Sequence, residues 1–263
     1  MAAPTKLSKL ENTHYLGVYA DHLQGYEDKP FTLLEIGIAE GDSLRYWRDR
    51  YPKATVIGID INDCPVDDDS GRIHTYQGKQ QDTGLLDRIR RTHAPDGIDI
   101  VIDDGSHIGH YTRQTFWHLM HHHLKPGGLY FIEDWGTGYW PQYEDGRYFS
   151  PRAVGPTAGE KLFSALGKTG IVKNNAFLSK VANTLEFKSL ARRIPSHDFG
   201  MVGFVKELVD EAGAPDATDA RFGRSPQRAS MFDFMQISVG HVVIRKAKPK
   251  PAAPGAETET PAA

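Results

Sequence analysis

Cysteine is nearly absent: Cys64 is the single one in 263 residues. A lone thiol excludes an intrachain disulfide and any zinc site built on cysteines, and it suits a reducing compartment, so a cytoplasmic location is expected. A predominance of charge of one sign is missing too. Lys and Arg total 31 against 34 Asp and Glu, a formal net charge of -3, and no single-signed block is long enough for a nucleic-acid footprint. No nucleic acid is expected as a partner. No apolar run approaches the roughly 18 residues that cross a bilayer, and MAAPTKLSKLENTHY at the start lacks the apolar centre of a signal peptide, so no membrane association is expected either. What is present is 39% hydrophobic residues, enough to bury one sizeable core.

No internal repeat is visible, but strands and helices alternate. FTLLEIGI (31–38) reads as a strand running into a glycine turn, and a helix capped by Asp42 or Ser43 follows and stops before Pro52. ATVIGIDI (54–61) and RIHTYQG (72–78) are further strands, and DTGLLDRIRRTHAP is a helix with Leu85, Leu86 and Ile89 on one face. GIDIVIDD (97–104) is a fourth strand, TRQTFWHLMHHHLKPGG a helix broken at Pro126 and Gly127, and LYFIED (129–134) a fifth strand. This alternation predicts an α/β fold with a doubly wound, mostly parallel sheet covered on both faces. The boundaries follow: a helical segment over 1–30, an α/β core over 31–135, an inserted helical and aromatic cap over 136–199 that could act as a lid, a helix and strand pair over 200–247 completing the core, and a disordered Pro/Ala-rich tail over 248–263.

In such sheets ligands bind beyond the carboxyl ends of the strands, which makes the polar residues there the candidates. Gly37 and Gly41 let the backbone pass close to a ligand at a helix N-terminus, or simply make a tight turn. Asp60 closes the second strand, where its two oxygens could take a ribose diol or cap a helix, and QGKQQD (77–82) supplies groups that could read an adenine edge or lie in a solvated loop. Asp103 and Asp104 end the fourth strand, and Glu133 and Asp134 end the fifth. Acids so close repel unless a cation or protons compensate them, and an all-oxygen site suits magnesium. Strand alternation turns one acid of a neighbouring pair away, which Asp103 is expected to do. His107 then stands where a base could take a proton from an alcohol acidified by the cation, or merely opens a helix. His121, His122 and His123 read as a solvated helix end, where imidazoles favour the dipole, and not as a metal site.

Together LEIGIAEGDS, Asp60, GKQQD, IDDGSH, FIEDW and the closing SVGHVVIRK resemble class I S-adenosylmethionine-dependent methyltransferases, specifically the metal-dependent macrolide and sugar O-methyltransferases and their cephalosporin hydroxylase-like relatives. The resemblance covers roughly 31–135 and 200–246 and implies a Rossmann-like methyltransferase core. It implies that Glu35, Gly37, Gly41 and Ser43 line the cofactor, that Asp60 holds its ribose, that Gln80 and Asp82 lie near adenine with Asp103 close by, that Asp104, Glu133 and Asp134 bind Mg2+, and that His107 with Asp104 forms the catalytic pair. Two departures stand out: Ala39 replaces a frequent glycine, and Lys79 stands where relatives often carry an acid. The expected function is a Mg-dependent O-methyltransferase acting on a sugar hydroxyl, of a glycosylated natural product or of an oligosaccharide such as a methylmannose polysaccharide precursor, with a homo-oligomer allowed. The alternatives are an oxygenase and a non-catalytic cofactor-binding subunit. A vicinal diol suits the metal, and Trp135, Tyr139, Trp140, Tyr143, Tyr148 and Phe149 could line a sugar or form the core of the cap.

Overall fold

Strand alternation decides which side chains face which layer of this protein. The computed structural model describes residues 9–147, 149, 158, 161, 165, 175–181, 184, 197–222 and 226–249. Its seven strands are β1 (Phe31–Ile36), β2 (Ala54–Asp60), β3 (Ile73–Gln77), β4 (Ile98–Asp103), β5 (Leu124–Glu133), β6 (Phe232–Ile237) and β7 (His241–Lys246), in the order β3-β2-β1-β4-β5-β7-β6. β1 to β5 pair in parallel, whereas β7 lies antiparallel to both β5 and β6. The described helices include α1 (Thr13–His22), α2 (Asp42–Arg50), α3 (Thr83–His93), α4 (Gly109–His122), α5 (Gly200–Ala212) and the short α6 (Ala214–Ala217).

With side chains pointing to opposite faces at every step, the sheet separates two cores. Leu34, Ile36, Val101, Tyr130 and Ile132 pack against α3, α4 and α5 through Leu86, Phe116 and Phe204. Phe31, Leu33, Ile100, Ile102 and Phe131 pack the other way, against Tyr19 of α1 and Leu44 and Trp47 of α2. Each buried aliphatic or aromatic side chain contributes roughly 1.5–3 kcal/mol. The same alternation sends Asp103 toward the α3/α4 layer and Glu35 and Glu133 toward the α1/α2 layer.

Two local features depart from the sequence reading. α4 ends at His122, and β5 begins at Leu124, before Pro126 rather than after it. Leu124 already pairs with Ile98, and a register shift between Ile98 and Ile100 takes up the Pro126–Gly127 stretch, with Gly127 in the left-handed region at φ 82°. His121 and His122 face solvent as expected of a helix end, but His123 is buried. The cap is only partly visible: Trp135–Tyr139 forms a 3-10 helix, while Tyr148, most of 150–196 and the tail from 250 lie outside the described residues. Asp145 joins this region to the core. Its Oδ2 accepts from the amides of Gly109 (2.7 Å) and Met201 (2.8 Å), satisfying free N–H groups in the first turns of α4 and α5 at once. That fixes the loop between β4 and α4, which carries His107.

Candidate active site

β2 and β3 lie on one side of β1, and β4 and β5 on the other, so the chain reverses direction between β1 and β4 and opens a crevice at their carboxyl ends. Gly37 enters it at φ 83°; a side chain there would collide with the Asp104 carbonyl. Its amide donates to the Ile59 carbonyl (2.7 Å), and the Asp104 amide donates to that of Ile36 (2.9 Å). Asp60 holds the turn from beside it: Oδ2 accepts from the amides of Ile38 and Ala39, both at 3.1 Å, and Oδ1 from Asn62 at 2.9 Å. Ala39, which replaces the frequent glycine, sits at φ 47°, a conformation that costs an L-residue roughly 1–2 kcal/mol and that Asp60 helps to hold. Against these residues lies a cavity of about 350 Å³, lined also by Lys79, Gln80 and Tyr111.

The residues expected around the cofactor divide. Gly37, Asp60 and Gln80 line this cavity, and Glu35, Gly41, Ser43, Asp82 and Asp103 do not. Gly41 is the left-handed N-cap of α2 (φ 80°), with Ser43 buried in the first turn behind it. Asp82 caps α3 by accepting from the Leu85 amide at 3.0 Å through one oxygen, with its side chain exposed. Gln80 Oε1 accepts from the Ser106 amide at 2.8 Å, and its amide nitrogen faces Asp103 and Thr112. Asp103 turns into the α3/α4 layer and accepts from the Tyr130 hydroxyl at 2.8 Å; burial pushes its pKa up to about 7. Asp103 therefore supports Gln80 from behind and does not reach the cavity, because it follows Val101 by two positions and shares its face.

On the other face the acids converge. Glu35, fully buried, accepts from Trp47 Nε1 at 3.0 Å and from Lys9 Nζ at 2.6 Å. The same ammonium lies 2.9 Å from Glu133 and 3.2 Å from Asp104. Burial alone would lower the Lys9 pKa, but Glu35, Glu133 and Asp104 outweigh it and hold the ammonium well above its ordinary value. Two phenols from α1, one turn apart, complete the enclosure: Tyr15 donates to Asp134, and Tyr19 to Glu133. Burial first, and then those carboxylates, keep both phenols protonated by raising their pKa values. Asp104 is held up at about 8 by burial and by Glu133, with Lys9 opposing.

His107 stands over this cluster in the left-handed region (φ 54°), with Nε2 3.6 Å from Asp104 Oδ1 and 4.0 Å from Asp134 Oδ2. One ligand atom each from Asp104, His107 and Asp134 lie within 4.8 Å of one another, spacing that a divalent ion can bridge. Of the acids expected to bind metal, Asp104 and Asp134 are in this group, and Glu133 is not; it enters the cluster through Lys9 instead. Strand alternation explains the split, since Glu133 follows Phe131 onto the α1 face, where Tyr19 and Lys9 meet it. The cluster already takes a cation, the Lys9 ammonium, so its charge and its oxygen-rich donor set fit a hard dication.

Lys9, Tyr15, Tyr19 and Trp47 were not singled out from the sequence. Only the spacing of Tyr15 and Tyr19, four apart on a helix, signals a shared face. The aromatic segment divides as well. The Tyr143 ring lies 6.0 Å from that of His107 and Trp140 is half exposed, whereas Phe149 stacks on His197 and meets Tyr139, as a cap core would.

No protein-family model matches the chain. It is 43% identical over 132 residues to the mycinamicin VI 2''-O-methyltransferase of Micromonospora griseorubida, covering 48% of this chain and 32% of that protein. It is 39% identical over 150 residues to the 8-demethyl-8-(2-methoxy-alpha-L-rhamnosyl)-tetracenomycin-C 3'-O-methyltransferase of Streptomyces olivaceus, covering 54% and 36%. The chain thus spans about a third of the length of these curated relatives. Among solved structures it is similar to the MycE methyltransferase of the mycinamycin biosynthetic pathway in complex with Mg, SAH and mycinamycin VI, with a TM-score of 0.62 and 26% identity over 91% of this chain and 50% of that one. The fold is therefore the Rossmann-like methyltransferase fold. The oxygenase alternative finds no counterpart among these relatives. No helix among the described residues is long and apolar enough to cross a membrane.

Proposed function

We propose that this chain, a relative of the macrolide and sugar O-methyltransferases over about half its length, transfers a methyl group from S-adenosylmethionine to a sugar hydroxyl with the help of Mg2+. The observation that carries this reading is the juxtaposition, across β1 and β4, of the cavity beside Gly37 and Asp60 with the acid cluster that His107 overhangs. A cofactor pocket alone would suit a binding subunit, which has no need of a base beside paired carboxylates.

S-adenosylmethionine supplies an activated methyl on a sulfonium, so the protein chiefly has to align two reactants. Asp104 and Asp134, with Glu133 behind them, would hold Mg2+, which would supply a Lewis acid that makes a vicinal diol more acidic. The chain's own groups do the rest. Asp60 keeps the glycine turn in place through three backbone amides and offers its remaining lone pairs to a ribose. His107 Nε2 accepts the hydroxyl proton, and Asp104 and Asp134 stabilise the imidazolium so formed. Tyr15 and Tyr19 hold Asp134 and Glu133 in position as protonated donors. Tyr143 and Trp140 flank the mouth with aromatic faces suited to a sugar ring.

The test is methyl transfer from labelled S-adenosylmethionine to a panel of glycosylated macrolides and of mannose oligosaccharides with free vicinal hydroxyls, with Mg2+ or with chelator. Metal-dependent labelling of one class identifies the substrate. Cofactor binding without labelling of any sugar, with or without metal, would favour the binding-subunit reading.

A further inference from the structure

A second cluster of metal-ligating side chains lies on the α3/α4 side of the sheet. His118 Nε2 and His123 Nε2 are each 2.7 Å from Asp87 Oδ1 and 3.2 Å from each other. Asp87 comes from α3, His118 from α4, and His123 from the single residue between α4 and β5. His123 is buried, whereas Asp87 remains partly exposed, so the cluster is closed from behind and open to solvent in front.

Protons alone can satisfy this arrangement, but only in one crowded form. If both Nε2 atoms carry hydrogen, the two N–H groups crowd toward one oxygen with their nitrogens 3.2 Å apart. If only one does, the other nitrogen turns a lone pair toward a carboxylate oxygen at 2.7 Å. A cation shared by all three removes both conflicts. Ligands about 2.0–2.2 Å from a tetrahedral ion stand about 3.3–3.5 Å apart, which the two imidazoles nearly meet already, and the partly exposed Asp87 needs only a small outward movement. Two imidazoles and one carboxylate favour a borderline ion over magnesium. Water from the open side would complete the four ligands; the cleft there is also lined by His122, Arg90 and Arg91.

We propose that Asp87, His118 and His123 form a divalent-cation site of the zinc class, separate from the acid cluster, that clamps α3 to the α4–β5 junction. The clamp braces the helix that follows Gln80 against the one that follows His107.

The experiment is calorimetric titration of the metal-stripped full chain with Zn2+ in excess Mg2+, alongside Asp104→Asn, His118→Ala, His123→Ala and the near-isosteric Asp87→Asn. Circular dichroism of each metal-free variant checks its fold. The expected result is one Zn2+ per chain, unaffected by Asp104→Asn and weakened more than ~100-fold by either histidine substitution, beyond what outer-shell changes produce. Co2+ in place of Zn2+ should show the intense visible bands of a four-coordinate ion, and Zn2+ should raise the melting temperature of the native protein but not of the His118→Ala protein. Should His118→Ala fail to fold, Asp87→Asn carries the same comparison. Absence of Zn2+ binding, or binding lost with Asp104→Asn but kept in the histidine variants, overturns the proposal: the first leaves a plain His–Asp–His hydrogen-bond cluster, the second puts the ion among the acids.

Discussion

The Lys9 ammonium lies 2.9 Å from Glu133, a residue 124 positions away at the end of β5, and 2.6 Å from the fully buried Glu35. Stranding a buried charge by removing its partner costs about 3–5 kcal/mol. Lys9→Met is therefore expected to lower the melting temperature of the metal-free protein, and Mg2+ to restore more of that loss than it adds to the native protein, since the ion and the ammonium both act on Asp104 and on the charge of the acids around it. Thermal melts with and without Mg2+ check this. Equal Mg2+ increments in both proteins would mean that Lys9 and the ion do not share the cluster.

Removing the base should separate chemistry from binding. His107→Ala is expected to lower turnover ~10²-fold or more while leaving S-adenosylmethionine affinity within a few-fold, and to flatten the acid limb of the pH–rate profile. If the limb survives, some other group takes the proton.

The carboxylates should differ in what they control. Asp104→Asn and Asp134→Asn, which touch the His107 side of the cluster, are expected to raise the Mg2+ concentration needed for half-maximal activity at least ~10-fold. Glu133→Gln should have the larger effect on stability, because it leaves Tyr19 and Lys9 facing a neutral amide. Metal titrations of activity paired with denaturant melts distinguish the two; a Glu133 variant that loses metal activation at native stability would make Glu133 a full ligand.

Asp60→Ala removes an acceptor from the amides of Ile38, Ala39 and Asn62 as well as a hydrogen-bonding site for a ribose. Cofactor affinity is expected to fall at least ~10-fold, the equivalent of about 1.4 kcal/mol. Isothermal titration with S-adenosylmethionine measures it, and unchanged affinity in a folded variant would take Asp60 out of the cofactor site.

Acid should act through Asp68. Its carboxylate, 2% exposed, accepts from the Ser70 hydroxyl, the amides of Arg72 and Ile73, and Arg48. Burial would raise its pKa, but these donors outweigh it and hold it well below the ordinary range. A depressed folded pKa means a contribution fully present above about pH 4 and lost as pH falls toward the folded value. Asp68→Asn should therefore cost about 2 kcal/mol at pH 7, and the gap from native protein should close as the pH drops below 4. Urea melts across that range decide it; a gap independent of pH would assign the loss to packing.

Much of the framework is legible in the one-dimensional pattern. Runs such as FTLLEIGI and GIDIVIDD are apolar because parallel strands are covered on both faces, and the period-2 rule already turns Asp103 away from Asp104. The glycine at 37 and the acids closing β4 and β5 mark the crevice, because close backbone approach and paired carboxylates need those residue types there. Asp82 shows the limit: QGKQQD reads as an adenine contact or as solvated loop, and nothing in the pattern announces that Asp82 Oδ1 accepts from the Leu85 amide at the start of α3.

The sequence by itself determined the alternation of strands and helices, the two-sided sheet and the positions of the strand-end acids, all of them consequences of local periodicity. Only the tertiary structure decided which groups share a space. Lys9 meets Glu35 and Glu133, Tyr15 meets Asp134, Asp145 joins the starts of α4 and α5, and Asp87 meets His118 and His123, because the sheet order brings distant segments together. Contacts of that kind carry no period along the chain. They follow from which strand lies beside which, and from burial that leaves a charge no partner except another side chain.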